Sequence, residues 1–188
     1  EGKFEVQVDD NEFVKVSGTE EIKIDEKLKS IKGIKEALNY YKLVCTPRFL
    51  GNNITPDPNS YQSTMIKYGI EKLQEVKNRL HNAGGLVIAP NIFVAEHMSK
   101  LLETITGEKP ILVHSELVNS ENKIALFRNS KKDWIVSVAM ISEGVDIKRL
   151  RVLLYLPNSQ TELSFRQAMG RIVRTMGPDD DSISHVVL

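Results

Sequence analysis

Two arginines three residues apart, Arg171 and Arg174, are the side chains in this sequence best suited to chemistry. They close the pattern Q-x-x-G-R-x-x-R, which begins at Gln167. Residues at i and i+3 share a helix face, and guanidiniums bind phosphate oxygens in a fork geometry, so the pair suits a polyphosphate. The alternative is that both arginines complement the dipole at the end of a helix, and an isolated R-x-x-R favours that alternative.

A capping signal precedes the arginines. Ser159 followed by Glu162 matches the S-x-x-E capping box, which predicts that a helix starts there. Arg171 and Arg174 would then project from the last turns of that helix toward one target.

A second polar segment follows an apolar run at residues 134–138. Ser142, Glu143, Gly144 and Asp146 lie in the predicted loop after this run. A glycine permits close backbone approach of a nucleotide, and a carboxylate two residues later can accept ribose hydroxyls. The alternative is an ordinary strand-to-loop turn that the aspartate caps.

Short apolar runs alternate with helical segments after Gly85. Runs that are apolar on both faces are typical of buried parallel strands, and the alternation predicts a three-layer α/β domain with a parallel sheet. In that architecture ligands bind at the carboxyl ends of the strands. The predicted strands are residues 86–89, 111–114, 134–138, 152–156 and 186–188.

The N-terminal third is predicted to be an appendage. Residues 4–8 and 13–16 alternate apolar with polar side chains and predict a β-hairpin, whereas residues 17–60 form a polar linker with a possible short helix at 31–41. An amphipathic helix at 65–82 leads into the α/β domain. We therefore predict an appendage at 1–60 and the domain at 61–188.

Composition limits the classes of function. The chain has 188 residues, 41% of them hydrophobic, which is enough for one core. Lysine plus arginine and aspartate plus glutamate both number 25, so any nucleic-acid contact must be local. The single Cys45 excludes an internal disulfide and suits an inert thiol in the cytoplasm, and no apolar run approaches a membrane span. Because the chain starts without methionine and stops inside an apolar run, we expect a piece of a longer protein.

The two polar segments together carry a family resemblance. S-E-G-V-D-I, then an apolar strand, then Q-x-x-G-R-x-x-R resemble motifs V and VI of the second RecA-like domain of superfamily two helicases of DEAD/DEAH type. Motif V matches residues 138–147 and motif VI matches 167–174, while 86–89 resembles motif IV. The resemblance covers about residues 84–188. The residues of these two motifs resemble those of bacterial and phage DNA translocases, including type III restriction relatives, more closely than those of RNA-specific DEAD-box proteins.

The resemblance implies roles for individual residues. Arg174 would be the arginine finger that reaches across a cleft to the γ-phosphate of ATP, and Arg171 would contact the same phosphate or hold the finger. Four further residues would contact the nucleotide: Gly144, Asp146, Gln167 and Gly170.

Nucleic acid would be held through its backbone phosphates, as suits a motor that steps along any sequence. DNA is the expected partner and RNA is not excluded. Many relatives contact the backbone through a threonine in the motif V strand, but Val138 occupies that position here. The expected contacts therefore shift to hydroxyl and imidazole groups at strand ends: His114, Ser115, Ser137 and Ser142.

A complete motor of this type also needs a phosphate-cradling G-x-x-x-x-G-K-[ST] loop, which this sequence lacks. We therefore expect ATP and Mg²⁺ to be held mainly by an N-terminal RecA-like domain of the same polypeptide, and the present chain alone to be inactive. No residue is expected to bind a metal. Two alternatives stay open: a nucleic-acid-binding or regulatory module that kept the fold, and an unrelated small-molecule-binding α/β domain.

Other conspicuous residues have simpler interpretations. Trp134 opens a strand and is expected to be packed. The basic clusters at 128–132 and 148–151 are interpreted as solvated loop charges or, second, as DNA contacts. Three aspartates at 179–181 are expected to form a polar turn.

Overall fold

The structure is a computed structural model that describes residues 3–9, 12–17, 42–52, 54–117, 119–138, 147–156, 162–173 and 183–187. In these ranges residues 42–45 form one helical turn. The longer helices are α1 (Tyr61–Lys77), α2 (Ile92–Thr106), α3 (Ser120–Asn129) and α4 (Glu162–Met169). The strands are β1 (Lys3–Asp9), β2 (Glu12–Ser17), β3 (Gly84–Ala89), β4 (Ile111–Val113), β5 (Trp134–Val138), β6 (Leu150–Tyr155) and β7 (His185–Val187).

The predicted N-terminal hairpin is confirmed. Strands β1 and β2 pair antiparallel as a two-stranded sheet, with Val6 opposite Val14. The period-two alternation that predicted it is the pattern of a strand with one apolar face. The possible helix at 31–41 lies outside the described residues.

The predicted parallel sheet is also confirmed. Its strand order is β4-β5-β3-β6-β7, and every neighbouring pair is parallel. The observed β3 and β6 each begin two residues earlier than predicted, because Gly84 N–H donates to the carbonyl of Arg149 and extends the ladder. Glycine and arginine carry no apolar signal, so the sequence pattern placed the strand starts too late.

Side chains of the sheet alternate between two helix-covered faces. Val87, Val136 and Leu154 lie in a core cluster with α1 and α2. Ile88 and Tyr155 belong to a second cluster, which includes residues of α3 and α4. The domain therefore has three layers, with helices on both faces of a buried parallel sheet.

Helix α1 differs from its predicted bounds of 65–82. It begins at Tyr61 because the Ser60 hydroxyl caps it, accepting a hydrogen bond from Ser63 N–H at 3.2 Å. It ends at Lys77, and the amides of residues 79 and 80 both turn back onto the carbonyl of Val76. Apolar spacing continues through this turn, which is why the prediction extended the helix too far.

The segment before α1 packs on the domain. The Gln62 side-chain amide donates to the carbonyls of Leu43, Val44 and Thr46 at 2.7–3.2 Å, and Val44 is fully buried in the first core cluster. Burial raises the pKa of the neighbouring Cys45 thiol to about 11, so it stays protonated at neutral pH. The division of the chain at residue 61 stays a prediction.

Two arginines of the predicted solvated clusters are instead buried. Arg149 and Arg151 are 4% and 1% exposed, and both donate to backbone carbonyls. The Arg149 guanidinium also lies 4.0 Å from the ring centroid of Phe127. Interpreting these two residues as solvated charges or DNA contacts was wrong, because local charge patterns do not reveal which guanidiniums bind carbonyls inside the fold.

Trp134 is packed, as predicted, with 4% of its surface exposed. Its indole lies against Gly85 of β3 and near Gly69 of α1, and a Cβ on Gly85 would overlap the ring. The two glycines therefore make room for the largest side chain of β5.

Among the helices that the structure describes, none combines the length and the apolar composition of a membrane span.

Candidate functional site

The carboxyl ends of the parallel strands form the edge where the sequence predicts ligands. In register, Val113 of β4 lies beside Ser137 of β5, and Ser137 lies beside Ile88 of β3. His114 directly follows Val113, so β4 and β5 bring two of the predicted nucleic-acid contacts to the same edge.

Both residues have buried polar atoms that lack a hydrogen-bond partner among the described residues. Ser137 is 5% exposed and its hydroxyl has no such partner; His114 is 4% exposed and its Nδ1 has none. A buried polar group without a partner costs free energy, and in native proteins it often marks a place that water, an ion or a ligand completes. Ser115, the next residue after His114, is exposed.

The turn between β4 and α3 is held in place by its own hydrogen bonds. The Ser120 hydroxyl donates to the carbonyl of His114 at 3.0 Å and also to that of Leu117 at 3.0 Å. The Leu117 N–H donates to the same His114 carbonyl at 3.1 Å. These bonds fix the backbone around His114 and Ser115 relative to the sheet.

Helix α4 and the turn after it carry two of the residues predicted to contact the nucleotide, and this segment is anchored to the core. Ala168 and Ile172 are buried in the second core cluster, and the Phe165 ring contacts Tyr155 edge to face at 5.5 Å. Gln167 and Gly170 are exposed on the same segment. The sequence of buried and exposed positions matches a helix with one face on β6 and the other facing outward.

The sequence predicted that Arg171 lies in the last turns of the helix, but the structure places it after the helix end. The helix ends at Met169, and Arg171 is half-buried in the following turn, where its N–H bonds to the carbonyl of Ala168 at 3.1 Å. Ser184, just before β7, donates to the carbonyl of Ile172 at 2.7 Å and fixes the end of this turn. Helical spacing misplaced the boundary because the chain continues in tight i to i−3 bonds.

Neither the backbone conformation nor the neighbouring described atoms require a glycine at position 170. Its φ is not positive, and a Cβ built on it would meet only the carbonyls of Arg166 and Gln167 at 3.4 and 3.5 Å. Gly170 also faces solvent. Among the described residues, sterics therefore give little reason for a glycine at this position.

The strand order separates the two groups of predicted residues. His114 and Ser137 belong to β4 and β5, whereas Gln167, Gly170 and Arg171 follow β6, and β3 lies between. Four predicted residues lie outside the described part of the chain: Ser142, Gly144, Asp146 and Arg174. The Ser159 cap and the aspartates at 179–181 also lie outside it.

Residues 69–176 match the helicase conserved C-terminal domain, which is more than half of the chain. The chain belongs to this family. The match includes both the loop after β5 and the complete Q-x-x-G-R-x-x-R segment. An unrelated small-molecule-binding α/β domain, one of the alternatives from the sequence, is therefore excluded.

Curated relatives of this helicase C-terminal domain are themselves uncharacterized. A protein of Mycobacterium tuberculosis is 36% identical and one of Mycobacterium leprae is 35% identical, each over 125 residues that make up 66% of this chain. The chain spans about a fifth of the length of these relatives, since the matched part is 21% of each.

Solved structures show the same fold. The SWI2/SNF2 ATPase core domain of Sulfolobus solfataricus superposes with a TM-score of 0.57 and 15% identity over 82% of this chain and 31% of that chain. The C-terminal part of the Fun30 ATPase domain gives 0.56 and 15% over 87% and 56%. Mss116p bound to single-stranded RNA and AMP-PNP gives 0.52 and 13% over 66% and 25%. The helicase C-terminal domain described here thus has the RecA-like α/β architecture that the motif order implied.

Phe93 is a surface residue of this helicase C-terminal domain that sequence reasoning missed. It lies in the first turn of α2, at the carboxyl edge of the sheet, and is 59% exposed, with its ring 6.2 Å from that of Phe49. Helical spacing did not predict its exposure, because His97 and Leu101, four and eight residues further on, are both buried. An exposed aromatic ring at this edge offers a stacking surface for a base.

Proposed function

We propose that this chain is the C-terminal motor half of an ATP-dependent DNA helicase or translocase. In this proposal Arg174 and Arg171 act on a nucleotide that another domain of the same polypeptide holds, together with Mg²⁺. The alternative of a binding or regulatory module without motor activity is the outcome against which the proposal is tested.

One observation carries the proposal: the arginine-bearing segment is anchored to the core on its inner side and has solvent-exposed residues on its outer side. Ala168 and Ile172 are buried, and Ser184 bonds to the end of the turn. Gln167 and Gly170 face outward. A group that must reach across a cleft needs a rigid base, because each degree of freedom left in it reduces the fraction of time it is correctly placed.

The residues present suit a polyphosphate held from outside. Gly170 carries no side chain where its own domain would tolerate one, so the backbone can approach a phosphate closely. ATP supplies the phosphoryl group and the bond that is broken. Arg174 would stabilise the charge that develops on the transferred phosphoryl oxygens, Arg171 would hold the same phosphate, and Gln167 would orient the arginines.

The nucleic acid is assigned to the β4 and β5 edge. The Ser137 hydroxyl and His114 Nδ1, which have no partner in the described part of the chain, offer polar groups to backbone phosphates together with the exposed Ser115. Contacts to the backbone position a strand without reading its sequence, which suits a motor. Gly144 and Asp146 would approach the ribose of the nucleotide and couple its state to this groove, where Ser142 adds a further hydroxyl.

The decisive variant is Arg174→Ala in the full-length protein. We expect DNA-stimulated ATP hydrolysis to fall by about 10³-fold or more, because the finger acts only in the transition state, while ATP binding stays within about threefold. Arg79→Ala is the matched control, since Arg79 is an exposed arginine between α1 and β3 to which the proposal gives no role. Steady-state hydrolysis and equilibrium binding of a fluorescent ATP analogue measure the two quantities.

Four outcomes would contradict the proposal or a part of it. Arg174→Ala with full turnover would remove the finger role. Lost ATP binding with residual turnover intact would make Arg174 a ground-state contact. A wild-type protein that binds nucleic acid but hydrolyses no ATP would favour the binding module, and stimulation by RNA but not by DNA would correct the partner.

A further inference from the structure

A cavity of about 360 Å³ opens at the amino ends of β4 and β5, between α1 and α2. It is bounded by residues that immediately precede the two strands, including Pro110 and Asp133. The arginine segment and the predicted nucleic-acid contacts belong to the opposite, carboxyl edge of the same sheet. Neither the proposed motor function nor the family assigns a role to this cavity, which we name the amino-edge socket.

The floor of the amino-edge socket is apolar. Leu73, Pro110 and Trp134 are buried residues that line it, and Ile70 and Ile105 are half-buried at its sides. The socket is thus a place where the first core cluster meets the surface. An apolar side chain that entered it would be removed from water without displacing any charged group.

The rim of the amino-edge socket has unbalanced charge. Its two carboxylates are neutralised locally, since Glu108 pairs with Lys132 at 2.8 Å and Asp133 pairs with Lys77. Lys67 and Lys109 also line the rim, and in the described part of the chain neither has a carboxylate partner. Among the described residues Lys67 donates only to the carbonyl of Pro58, at 3.1 Å, and no described carboxylate compensates its charge. The socket therefore favours a ligand that is apolar in the middle and anionic at its ends.

We propose that the amino-edge socket binds an acidic peptide segment of a partner protein. One large apolar side chain of the segment occupies the floor, and its neighbouring Asp or Glu side chains lie against Lys67 and Lys109. A peptide fits better than a small molecule because the two lysines without a carboxylate partner are on different elements that both line the socket, α1 and the loop after α2. Apolar anchors supply most of the affinity of such contacts, and the rim charges supply selectivity.

Trp134 provides a direct measurement, because it is the only tryptophan of the chain and lines the socket. The probe is an acetylated, amidated peptide Glu-Glu-Phe-Glu-Glu. Two matched peptides replace Phe by Ala, or all Glu by Lys. We expect the first peptide to change Trp134 emission saturably with a Kd below about 1 mM, and the other two to bind at least about tenfold more weakly.

Charge reversal on the rim tests the anionic part of the proposal. Lys109→Glu should weaken binding of the acidic peptide about tenfold, since an attraction becomes a repulsion. Lys100→Glu changes the net charge equally on the exposed side of α2, outside the socket, and should leave the Kd within about twofold. Ile105→Ala should weaken binding by a similar factor to Lys109→Glu through the lost apolar contact. Thermal unfolding of each variant checks that the fold is retained.

The proposal is overturned if the basic peptide binds as well as the acidic one, or if Lys109→Glu and Lys100→Glu bind alike. It is also overturned if no emission change occurs up to about 1 mM peptide. Saturable binding of phenylacetate with no binding of the peptide would identify a small-molecule site in place of a peptide site. None of these results bears on ATP hydrolysis, so the proposed motor function is tested separately.

Discussion

His97 is buried on α2, and neither ring nitrogen has a hydrogen-bond partner in the part of the chain that the structure describes. Its ring lies edge to face on Phe49 at 4.9 Å. Burial, followed by the positive charge of Lys100, lowers its pKa from 6.5 to about 4. The folded state therefore holds a neutral imidazole, whereas the unfolded chain takes up a proton below pH 6.5. The contribution of the neutral His97 to folding stability is therefore fully present above pH 6.5 and is lost as the pH falls toward 4.

A substitution at His97 tests this account of acid sensitivity. Between pH 7.5 and pH 5, His97 should account for about 2 kcal/mol of the fall in the free energy of unfolding. In His97→Phe this part of the fall should disappear, and stability at pH 7.5 should be equal or higher, because two unpartnered nitrogens are removed and the ring contact is kept. Urea unfolding at both pH values measures the difference.

His81→Phe is the matched control, because His81 is exposed. This variant should keep the wild-type dependence of stability on pH. If His97→Phe and the wild type lose equal free energy between the two pH values, the buried imidazole is not the sensitive group.

Two residues show which kinds of burial can be predicted from the sequence and which cannot. Trp134 was predicted to be packed because an aromatic residue within an apolar strand is normally in the core. Arg149 was interpreted as a surface charge, since its neighbours Lys148 and Arg151 are basic and its carbonyl partners are 17 to 67 residues away in the chain. Contacts of this range leave no local pattern.

At the scale of elements, Arg149 joins three segments at the amino edge of the sheet. Its guanidinium donates to the carbonyls of Asn82 after α1, Phe127 in α3 and Lys132 before β5. Burial lowers the pKa of Arg149 and the nearby Asp133 charge partly opposes this, but an arginine stays protonated. One side chain therefore satisfies carbonyls from the ends of three elements that are distant in sequence.

Replacing this arginine should destabilise the domain. In Arg149→Met the carbonyls lose their donor while the aliphatic volume is roughly kept, so the free energy of unfolding should fall by roughly 2–4 kcal/mol. Lys148→Met, at the exposed neighbouring position, should change it by less than about 0.5 kcal/mol. Urea unfolding compares the two variants, and equal stability would mean that water replaces the guanidinium at no cost.

Element types were predictable and element ends were not. The apolar runs located every strand of the parallel sheet, because a strand buried on both faces must be apolar throughout. Helix α1 began four residues before its predicted start, because the signal is a single hydroxyl, that of Ser60, without the Glu or Gln that completes a capping box. The end of α4 was missed for the same kind of reason, since tight turns continue its spacing past Met169.

At the scale of the molecule, the order of motifs predicted more than any single motif. A glycine and aspartate loop followed by an arginine pair fits many turns, but in that order, separated by one strand, it identified the family, whose fold agrees with the parallel sheet that the apolar runs predicted. What the sequence did not predict is the packing of residues 42–46 on α1. Gln62 is a polar residue in a helical pattern, and nothing local indicates that its amide bonds to three carbonyls of a segment predicted to be a linker.

We predict that the 188-residue chain folds by itself but does not hydrolyse ATP. Its core is complete enough for a cooperative thermal transition, because both faces of the sheet are covered by helices. The sequence has no phosphate-cradling loop, so phosphate release from ATP by the 188-residue chain should equal the blank, with or without DNA. The control is the Arg174→Ala chain, measured identically. Turnover that is present in the wild-type chain and absent from Arg174→Ala would mean that this chain holds ATP itself, and the division of the active site between two domains would be wrong. If both chains release no phosphate above the blank, the result agrees with a finger that acts only on ATP held by another domain.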